Sequence, residues 1–99
     1  MDYSAFIEGI NTKNEKAWGK LYDHYYASLC SYVEKLLSDP EMAEDIVQEC
    51  LIKMWNTDVN FPDVRALSAW LYKSVYHASV SVLREKKSLE RFQNGREIL

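Results

Sequence analysis

Ninety-nine residues, 47% of them hydrophobic, make one domain with a modest core that needs no disulfide or metal to fold. This composition excludes a mainly disordered chain, and no apolar run approaches the ~20 residues of a membrane span. The net charge of −3 is unevenly distributed along the chain. Residues 1–63 carry five basic and twelve acidic side chains, whereas residues 64–99 carry seven basic and three acidic side chains. The two parts, at −7 and +4, are suited to different partners, and only the second attracts nucleic acid.

The scarcity of turn residues predicts the fold class. Three glycines and two prolines favour long helices joined by few turns. Residues 3–10 predict a short amphipathic helix. Two caps are candidates for the start of the next helix: Thr12 has capping-box spacing with Glu15, and Asn14 is the alternative. We therefore expect an all-α fold, a compact bundle of four helices of which the first is short.

A second helix is predicted from about Glu15 to Leu37. A tight joint at Ser38 makes it an antiparallel neighbour of the third helix. Apolar residues recur along it at steps of three and four, the spacing of a core-facing stripe. This stripe consists of Trp18, Leu21, Tyr22, Tyr25, Leu29, Tyr32, Val33 and Leu36.

The third predicted helix, from Asp39 to Trp55, has two unlike faces. Asp39 can cap it, and Pro40 suits its first position because the amide that proline lacks would be unpaired there. The core-facing stripe is Met42, Ala43, Ile46, Val47, Cys50, Leu51 and Met54. The other face carries Glu41, Glu44, Asp45, Gln48, Glu49 and Lys53. A stable helix does not need this surplus of negative charge, which indicates a partner.

A polar loop, residues 56–63, precedes the fourth predicted helix, which Asp63 can cap. Its one aromatic side chain, Phe61, is expected to be exposed. The inward positions of the last helix are Leu67, Trp70, Leu71, Val75, Ala78 and Val82, and its outer positions include Lys73, Tyr76, His77, Val80, Arg84 and Lys87. The pattern fades after about Arg91, so we expect a domain of residues 1–92 and a frayed tail or linker at 93–99.

The cysteines and the N-terminus indicate the compartment. Cys30 and Cys50 occupy apolar helical positions, which favours buried free thiols in a reducing compartment. A hairpin around Asp39 would place them at similar height, although they lack the CxxC spacing of a redox pair. The acidic N-terminus has no features of a signal peptide. We therefore expect a cytoplasmic protein without a membrane partner.

The polar residues argue against catalysis, cofactors and metals. Glu41, Asp45 and Glu49 stack at i, i+4 and i+8, but carboxylate sites in bundles face inward and include a Glu-x-x-His pair. His24 and His77 are far apart and lack zinc-ligand spacing. Neither a Gly-rich phosphate loop nor a nucleophile elbow is present. We predict no enzyme, and a carboxylate metal site remains an alternative only if these side chains point inward.

Nucleic-acid binding fits the outer face of the last helix better. This face carries cations beside aromatic and imidazole rings: Lys73, Tyr76, His77, Arg84, Lys86 and Lys87. Cations attract phosphates, and unstacked bases stack on aromatic side chains at ~1–3 kcal/mol each. With the adjoining polar loop and Phe61, the pattern favours single-stranded or opened DNA. The alternative is a solvated surface on which Tyr76 covers the edge of the core.

Together, these segments resemble region 2 of bacterial sigma factors. The similarity is carried by the run LYDHYYASLCSYVEKLLSDPEMAEDIVQECLIKMW, followed by Phe61 and then by WLYKSVYHASVSVLREKK. More narrowly, the chain is similar to the extracytoplasmic-function (ECF) group of the sigma-70 family. The specific part is AEDIVQE with a tryptophan six residues on, followed by WLY, and the resemblance covers roughly residues 4–92.

The resemblance implies a promoter-recognition domain of an RNA polymerase sigma factor. Such a domain docks on the clamp helices of the β′ subunit, and it recognises and helps to melt the −10 promoter element on the non-template strand. Its docking surface corresponds to Asp45, Gln48, Glu49, Ile52 and Lys53. Its DNA contacts correspond to Asn56, Asn60 and Phe61 in the loop and to Lys73, Tyr76, His77, Val80, Arg84 and Lys87 on the last helix. Trp70 resembles the core tryptophan of the family.

The sequence departs from the family pattern where DNA is recognised. Family members often have Arg-Asn in place of Tyr76-His77, Asp in place of Ser81, and a richer basic run than the one ending at Lys87. Full members also carry a helix-turn-helix domain for the −35 element. We therefore expect this chain to be an excised domain, and a stand-alone relic is the alternative. The alternative function is a protein-interaction module that binds an anti-sigma factor and has lost DNA contact.

Overall fold

Four helices follow one another along the chain. The computed structural model describes the backbone of residues 3–98 and the side chains of residues 3–87. The helices are α1 Ser4–Asn11, α2 Glu15–Leu37, α3 Pro40–Trp55 and α4 Val64–Ile98, which confirms the predicted all-α bundle with a short first helix. The predicted change in pattern after Arg91 lies outside the described side chains, and the division between residues 1–92 and 93–99 stays a prediction.

A polar side chain decides where α2 begins. The side-chain oxygen of Asn14 accepts a hydrogen bond from the Ala17 amide at 3.1 Å, so Asn14 is the cap and Thr12 is not. Thr12 instead follows the end of α1, where its hydroxyl donates to the Glu8 carbonyl at 2.9 Å. The Asn14 contact pairs a backbone amide that the first turn of a helix leaves free, whereas the Glu8 carbonyl also accepts the Thr12 amide at 2.9 Å.

The caps predicted for α3 and α4 are confirmed. The Asp39 carboxylate accepts from the Met42 amide at 3.1 Å, with Pro40 at the first helical position. The Asp63 carboxylate accepts from the Ala66 amide at 2.8 Å. Because each cap bonds an amide three residues further on, local sequence alone specifies where these two helices begin.

The core lies where α2, α3 and α4 meet, and α1 closes it beside α2. Side chains with at most 1% exposure fill it: Ile10, Leu21, Leu29, Val33, Ala43, Val47, Met54, Leu67, Leu71 and Val75. Full burial of one large apolar side chain contributes about 1.5–3 kcal/mol. The only buried polar side chain among those described is Ser79, whose hydroxyl donates to the Val75 carbonyl at 2.7 Å. One member of the stripe predicted for α2 lies at the edge instead, since Tyr22 is 47% exposed.

Helix α1 approaches α2 closely at Gly9. A Cβ atom at this position would lie 2.5 Å from the Cβ of Ala17, so glycine is what permits the approach. The Trp18 indole donates to the Ile10 carbonyl at 3.3 Å and joins the same two helices. This packing fixes the α1–α2 turn, residues 12–14, against the rest of the bundle.

Candidate functional site

The docking face is the exposed side of α3 formed by Asp45, Gln48, Glu49, Ile52 and Lys53. All five predicted side chains are exposed, because Ala43, Ile46, Val47 and Met54 occupy the buried side of the same helix. Ile52 is 60% exposed and Trp55 38%, so the surface here includes apolar as well as charged side chains. The structure therefore brings together every residue of the predicted protein-binding set on one surface.

An apolar groove borders the docking face, and sequence reasoning missed it. Trp18, Tyr22, Ile52 and Trp55 are among the residues that line this cavity of about 360 Å³ between α2 and α3. The Trp18 and Trp55 rings meet edge to face with centroids 4.9 Å apart. The signal in the sequence that could have revealed this groove was the spacing of Trp18 and Tyr22 along α2. Both residues were predicted to face the core instead.

Gln48 connects the docking face to this groove. Its side-chain amide donates to the Tyr26 hydroxyl at 3.2 Å, across the α2–α3 interface. The Tyr26 ring stacks on Tyr22 with centroids 4.5 Å apart. The docking face thus combines surface charge with an ordered aromatic border, a combination that suits a protein partner.

The carboxylates of α3 do not form a metal site. Glu41, Asp45 and Glu49 are all exposed, whereas the metal-site alternative requires them to point into the bundle. Among the side chains that the structure describes, no group of three potential ligands is arranged to hold a metal ion. The alternative of a carboxylate metal bundle is therefore wrong, because the apolar stripe of α3 turns these side chains to solvent.

The basic face is the outer side of α4, formed by Arg65, Lys73, Tyr76, His77, Val80, Arg84 and Lys87. All are exposed except Val80, which is half-buried. Tyr76 is 45% exposed, and its ring centroid lies 5.9 Å from that of His77. Arg65 was missed by sequence reasoning, although it precedes Tyr76 by about three helical turns and so shares its side of the helix.

The structure corrects one prediction about the loop of residues 56–63. Phe61 is only 8% exposed, so the expectation of an exposed ring is wrong. Its ring packs edge-on against Trp70 with centroids 6.2 Å apart, because the loop turns back over the first turns of α4. The predicted DNA contacts Asn56 and Asn60 are exposed as expected. The loop therefore offers polar side chains to a ligand and uses its aromatic ring for packing.

Side chains from α1 and the α1–α2 turn contact both ends of this loop. The Asn11 amide donates to the Phe61 carbonyl at 2.9 Å and accepts from the Phe61 amide at 2.8 Å. The Lys13 ammonium donates to the carbonyls of Trp55 and Thr57, the latter at 3.0 Å. A cavity of about 750 Å³ lies beside the loop, between α1 and the start of α4. Sequence reasoning assigned these two side chains no role, and no short-range pattern marks them.

A second groove, of about 400 Å³, joins the docking face to the basic face. Glu49, Cys50 and Lys53 contribute to it from α3, and Trp70 and His77 from α4. Burial raises the pKa of the Cys50 thiol, an effect that the nearby Lys53 ammonium opposes. The thiol is therefore predominantly protonated at neutral pH.

Cys30 is the other free thiol. Burial raises its pKa as well, and a hydrogen bond with Tyr26 opposes that rise. Its surroundings are formed by α2 and by Glu44, whereas Cys50 faces α4. The two thiols therefore have different neighbours, and the predicted reducing compartment stays a prediction.

Comparison with known proteins identifies the class. The family described as Sigma-70 region 2 matches residues 21–94. The ECF RNA polymerase sigma factor SigL of Mycobacterium tuberculosis is 36% identical over 91 residues, which cover 91% of this chain and 49% of SigL. The ECF RNA polymerase sigma factor SigX of Bacillus subtilis is 23% identical over 77 residues, which cover 78% of this chain and 40% of SigX. No solved structure matches the chain at comparable significance.

The chain belongs to the sigma-70 region 2 family, and the relatives it matches are ECF sigma factors. This confirms the resemblance, and the family consists of non-enzymatic transcription initiation factors. The chain spans about half the length of the curated relatives it matches. Among the described helices, none is long and apolar enough to cross a membrane.

Proposed function

We propose that this chain binds core RNA polymerase through the docking face of α3 and recognises the −10 promoter element through the basic face of α4. The observation that carries the proposal is the separation of two chemically unlike exposed faces on neighbouring helices of one bundle. A protein partner and a nucleic acid can then be held at once. Assembly with polymerase would place the chain in the cytoplasm.

The polymerase partner is the pair of clamp helices of the β′ subunit. Asp45 and Glu49 lie one helical turn apart and offer a negative surface to basic side chains. Ile52 and the apolar groove supply surface whose removal from water favours association. Gln48, already held by Tyr26, loses less conformational freedom on binding than a free side chain would.

The DNA partner is the opened non-template strand. Lys73, Arg84 and Lys87 are exposed along one helix and can pair with phosphates at separate points of a strand. The exposed Tyr76 ring offers a stacking surface to an unstacked base. Flipping a base costs a few kcal/mol, which stacking and pocket contacts offset. Asn56 and Asn60 supply hydrogen bonds, and Phe61 supports the loop from its buried position.

The docking half of the proposal is tested by pull-down with isolated β′ clamp helices. Asp45→Arg reverses a charge, and Gln48→Ala removes the contact between the docking face and Tyr26. Both are expected to weaken binding about tenfold or more. Asp23→Arg, which reverses an exposed acidic residue on α2, is the control and should bind normally. Unchanged affinity in both docking variants would show that α3 is not the polymerase contact.

A protein-only function is the second candidate, in which an anti-sigma factor covers the docking face and DNA contact is absent. Tyr76-His77 stands where family members often have Arg-Asn, and the net charge of the chain is −3. Both observations favour the protein-only function. Crosslinking from Tyr76 to promoter DNA in the polymerase holoenzyme separates the two. Crosslinks to the non-template strand support DNA recognition, and their absence in a holoenzyme shown to be assembled supports the protein-only function.

A further inference from the structure

The α1–α2 turn and the last residue of α1 donate and accept hydrogen bonds at both ends of the loop of residues 56–63. We infer that Asn11 and Lys13 are positioning residues for promoter recognition: they hold the two ends of this loop and so fix where Asn60 is presented to DNA. The inference rests on the proposed function, because it takes the loop to be a DNA contact. Both residues precede residue 21, where the family match begins.

Asn11 holds the far end of the loop through both halves of its amide. It donates to the Phe61 carbonyl at 2.9 Å and accepts from the Phe61 amide at 2.8 Å, across fifty positions of sequence. These bonds pair both backbone polar groups of a residue whose ring is buried against Trp70. An amide side chain is suited to this, since it offers one donor group and one acceptor side by side.

Lys13 holds the near end of the loop. Its ammonium donates to the Trp55 carbonyl and, at 3.0 Å, to the Thr57 carbonyl. These carbonyls lie at the C-terminal end of α3, where the helix dipole favours a cation. The same ammonium lies 6.0 Å from the centroid of the Trp55 ring, within the range of a cation–π interaction.

The backbone of Lys13 ends α1 and turns the chain toward α2. Its φ of +59° lies in the left-handed region, which glycine or asparagine occupies at lower cost than lysine. The Asn14 amide donates to the Gly9 carbonyl at 2.8 Å and the Lys13 amide to the Ile10 carbonyl at 3.2 Å, the two bonds of a left-handed helix end. This turn is therefore ordered by its own backbone bonds, and the Lys13 side chain extends from it to the loop.

Little of the loop remains free between the two contacts. Asp58, Val59 and Asn60 lie between Thr57 and Phe61, and Val59 packs against the core. The exposed side chain of Asn60 is therefore presented from a short segment fixed at both ends, beside the cavity of about 750 Å³. A preordered loop loses less conformational entropy when a strand binds, so affinity for opened DNA rises without any added DNA contact.

The test compares Asn11→Ala with Asn14→Ala in polymerase holoenzyme. Asn14 caps α2 and has no contact with the loop among its described hydrogen bonds, so it controls for lost stability. We expect Asn11→Ala to accelerate hydrogen exchange at the Phe61 amide and to lower −10 opening about tenfold, the effect of one or two lost hydrogen bonds. Opening is followed by permanganate reactivity of −10 thymines. Affinity for core polymerase should not change in either variant.

Lys13 provides a second pair of variants. Lys13→Met removes the ammonium and is expected to lower opening, whereas Lys13→Arg keeps a donor and a charge and should restore it. If Asn11→Ala and Asn14→Ala lowered promoter opening equally, and each loss followed the fall in melting temperature, the role of Asn11 would be purely structural and the inference would be overturned. Fast Phe61 exchange with undiminished opening would also overturn it. A wild-type holoenzyme that assembles but opens no promoter would instead overturn the proposed function.

Discussion

Gly9 and Gly19 form a matched pair, because both lie in helices but have opposite surroundings. A Cβ at Gly9 would meet the Cβ of Ala17 at 2.5 Å, whereas a Cβ at Gly19 would meet nothing within 4 Å. Gly9→Ala is expected to lower the free energy of unfolding by about 1–3 kcal/mol through overpacking. Gly19→Ala is expected to raise it by about 0.5–1 kcal/mol, since alanine restricts the unfolded chain more than glycine does.

Urea titration of the two variants measures both effects. The transition midpoints should move in opposite directions at an unchanged slope. A Gly9→Ala variant as stable as the wild type would mean that α1 can shift away from α2 without loss. That result would also mean that α1 need not keep this position to hold the loop.

The cysteines give a prediction about pH. Burial raises the pKa of both the Cys30 and the Cys50 thiol, so the neutral form is favoured in the folded state. Their contribution to stability is complete below the unfolded pKa and is lost as the pH rises through the higher folded pKa. Iodoacetamide should therefore modify the native protein more slowly than the urea-unfolded protein at about pH 8, with a native rate that rises only at higher pH. Equal native and unfolded rates at that pH would contradict it.

At the scale of elements, the sequence predicts the helices well and the loop poorly. Helix bounds depend on caps within three residues, such as Asp39 and Asp63, and on the position of Pro40. The position of Phe61 depends on Asn11, fifty residues earlier, and on Trp70 in the next helix. An aromatic residue in a polar loop has the same local pattern whether it is exposed or buried. Only the long-range packing decides between the two.

The residues of the candidate site show the same difference between local sequence patterns and long-range packing. Helical periodicity places four of the five residues of the docking face on the exposed side of α3, and the family resemblance adds the fifth, Ile52. The apolar groove required the pairing of α2 with α3, which brings Trp18 to Trp55 and Tyr26 to Gln48. Sequence patterns assign a residue to a face of its own helix, but they do not give the distance to the neighbouring helix.

Substitutions at two residues of α3 are expected to affect stability and polymerase binding separately. Ile52 is 60% exposed and Met54 is 0% exposed, on opposite sides of one helix. Met54→Ala is expected to cost about 2–5 kcal/mol of unfolding free energy, because it leaves a cavity in the core. Ile52→Ala should change stability by less than about 0.5 kcal/mol and should weaken polymerase binding several-fold. Thermal melts and clamp-helix titrations measure the two quantities. Ile52→Ala with normal binding would remove the apolar part of the docking face.

At the scale of the whole molecule, the acidic and basic parts of the sequence form two different surfaces. The acidic excess of residues 1–63 includes the exposed carboxylates of α3, and the basic excess of residues 64–99 includes the basic face of α4. The groove lined by Glu49, Lys53 and His77 lies between them. In the proposed function, polymerase binding and DNA binding depend on different side chains of adjacent helices, so substitutions on one face should leave the other interaction intact.

Salt dependence provides the test of that separation. Binding of the holoenzyme to single-stranded −10 DNA should weaken steeply with salt, since each neutralised phosphate contributes about −0.7 to the slope of log affinity against log salt. Lys73→Ala and Arg84→Ala should each make the slope shallower by roughly that amount. Lys35→Ala removes an exposed positive charge on α2 and is the control for net charge. If Lys35→Ala changed the slope as much as Lys73→Ala, overall charge would account for binding and α4 would not be the DNA surface.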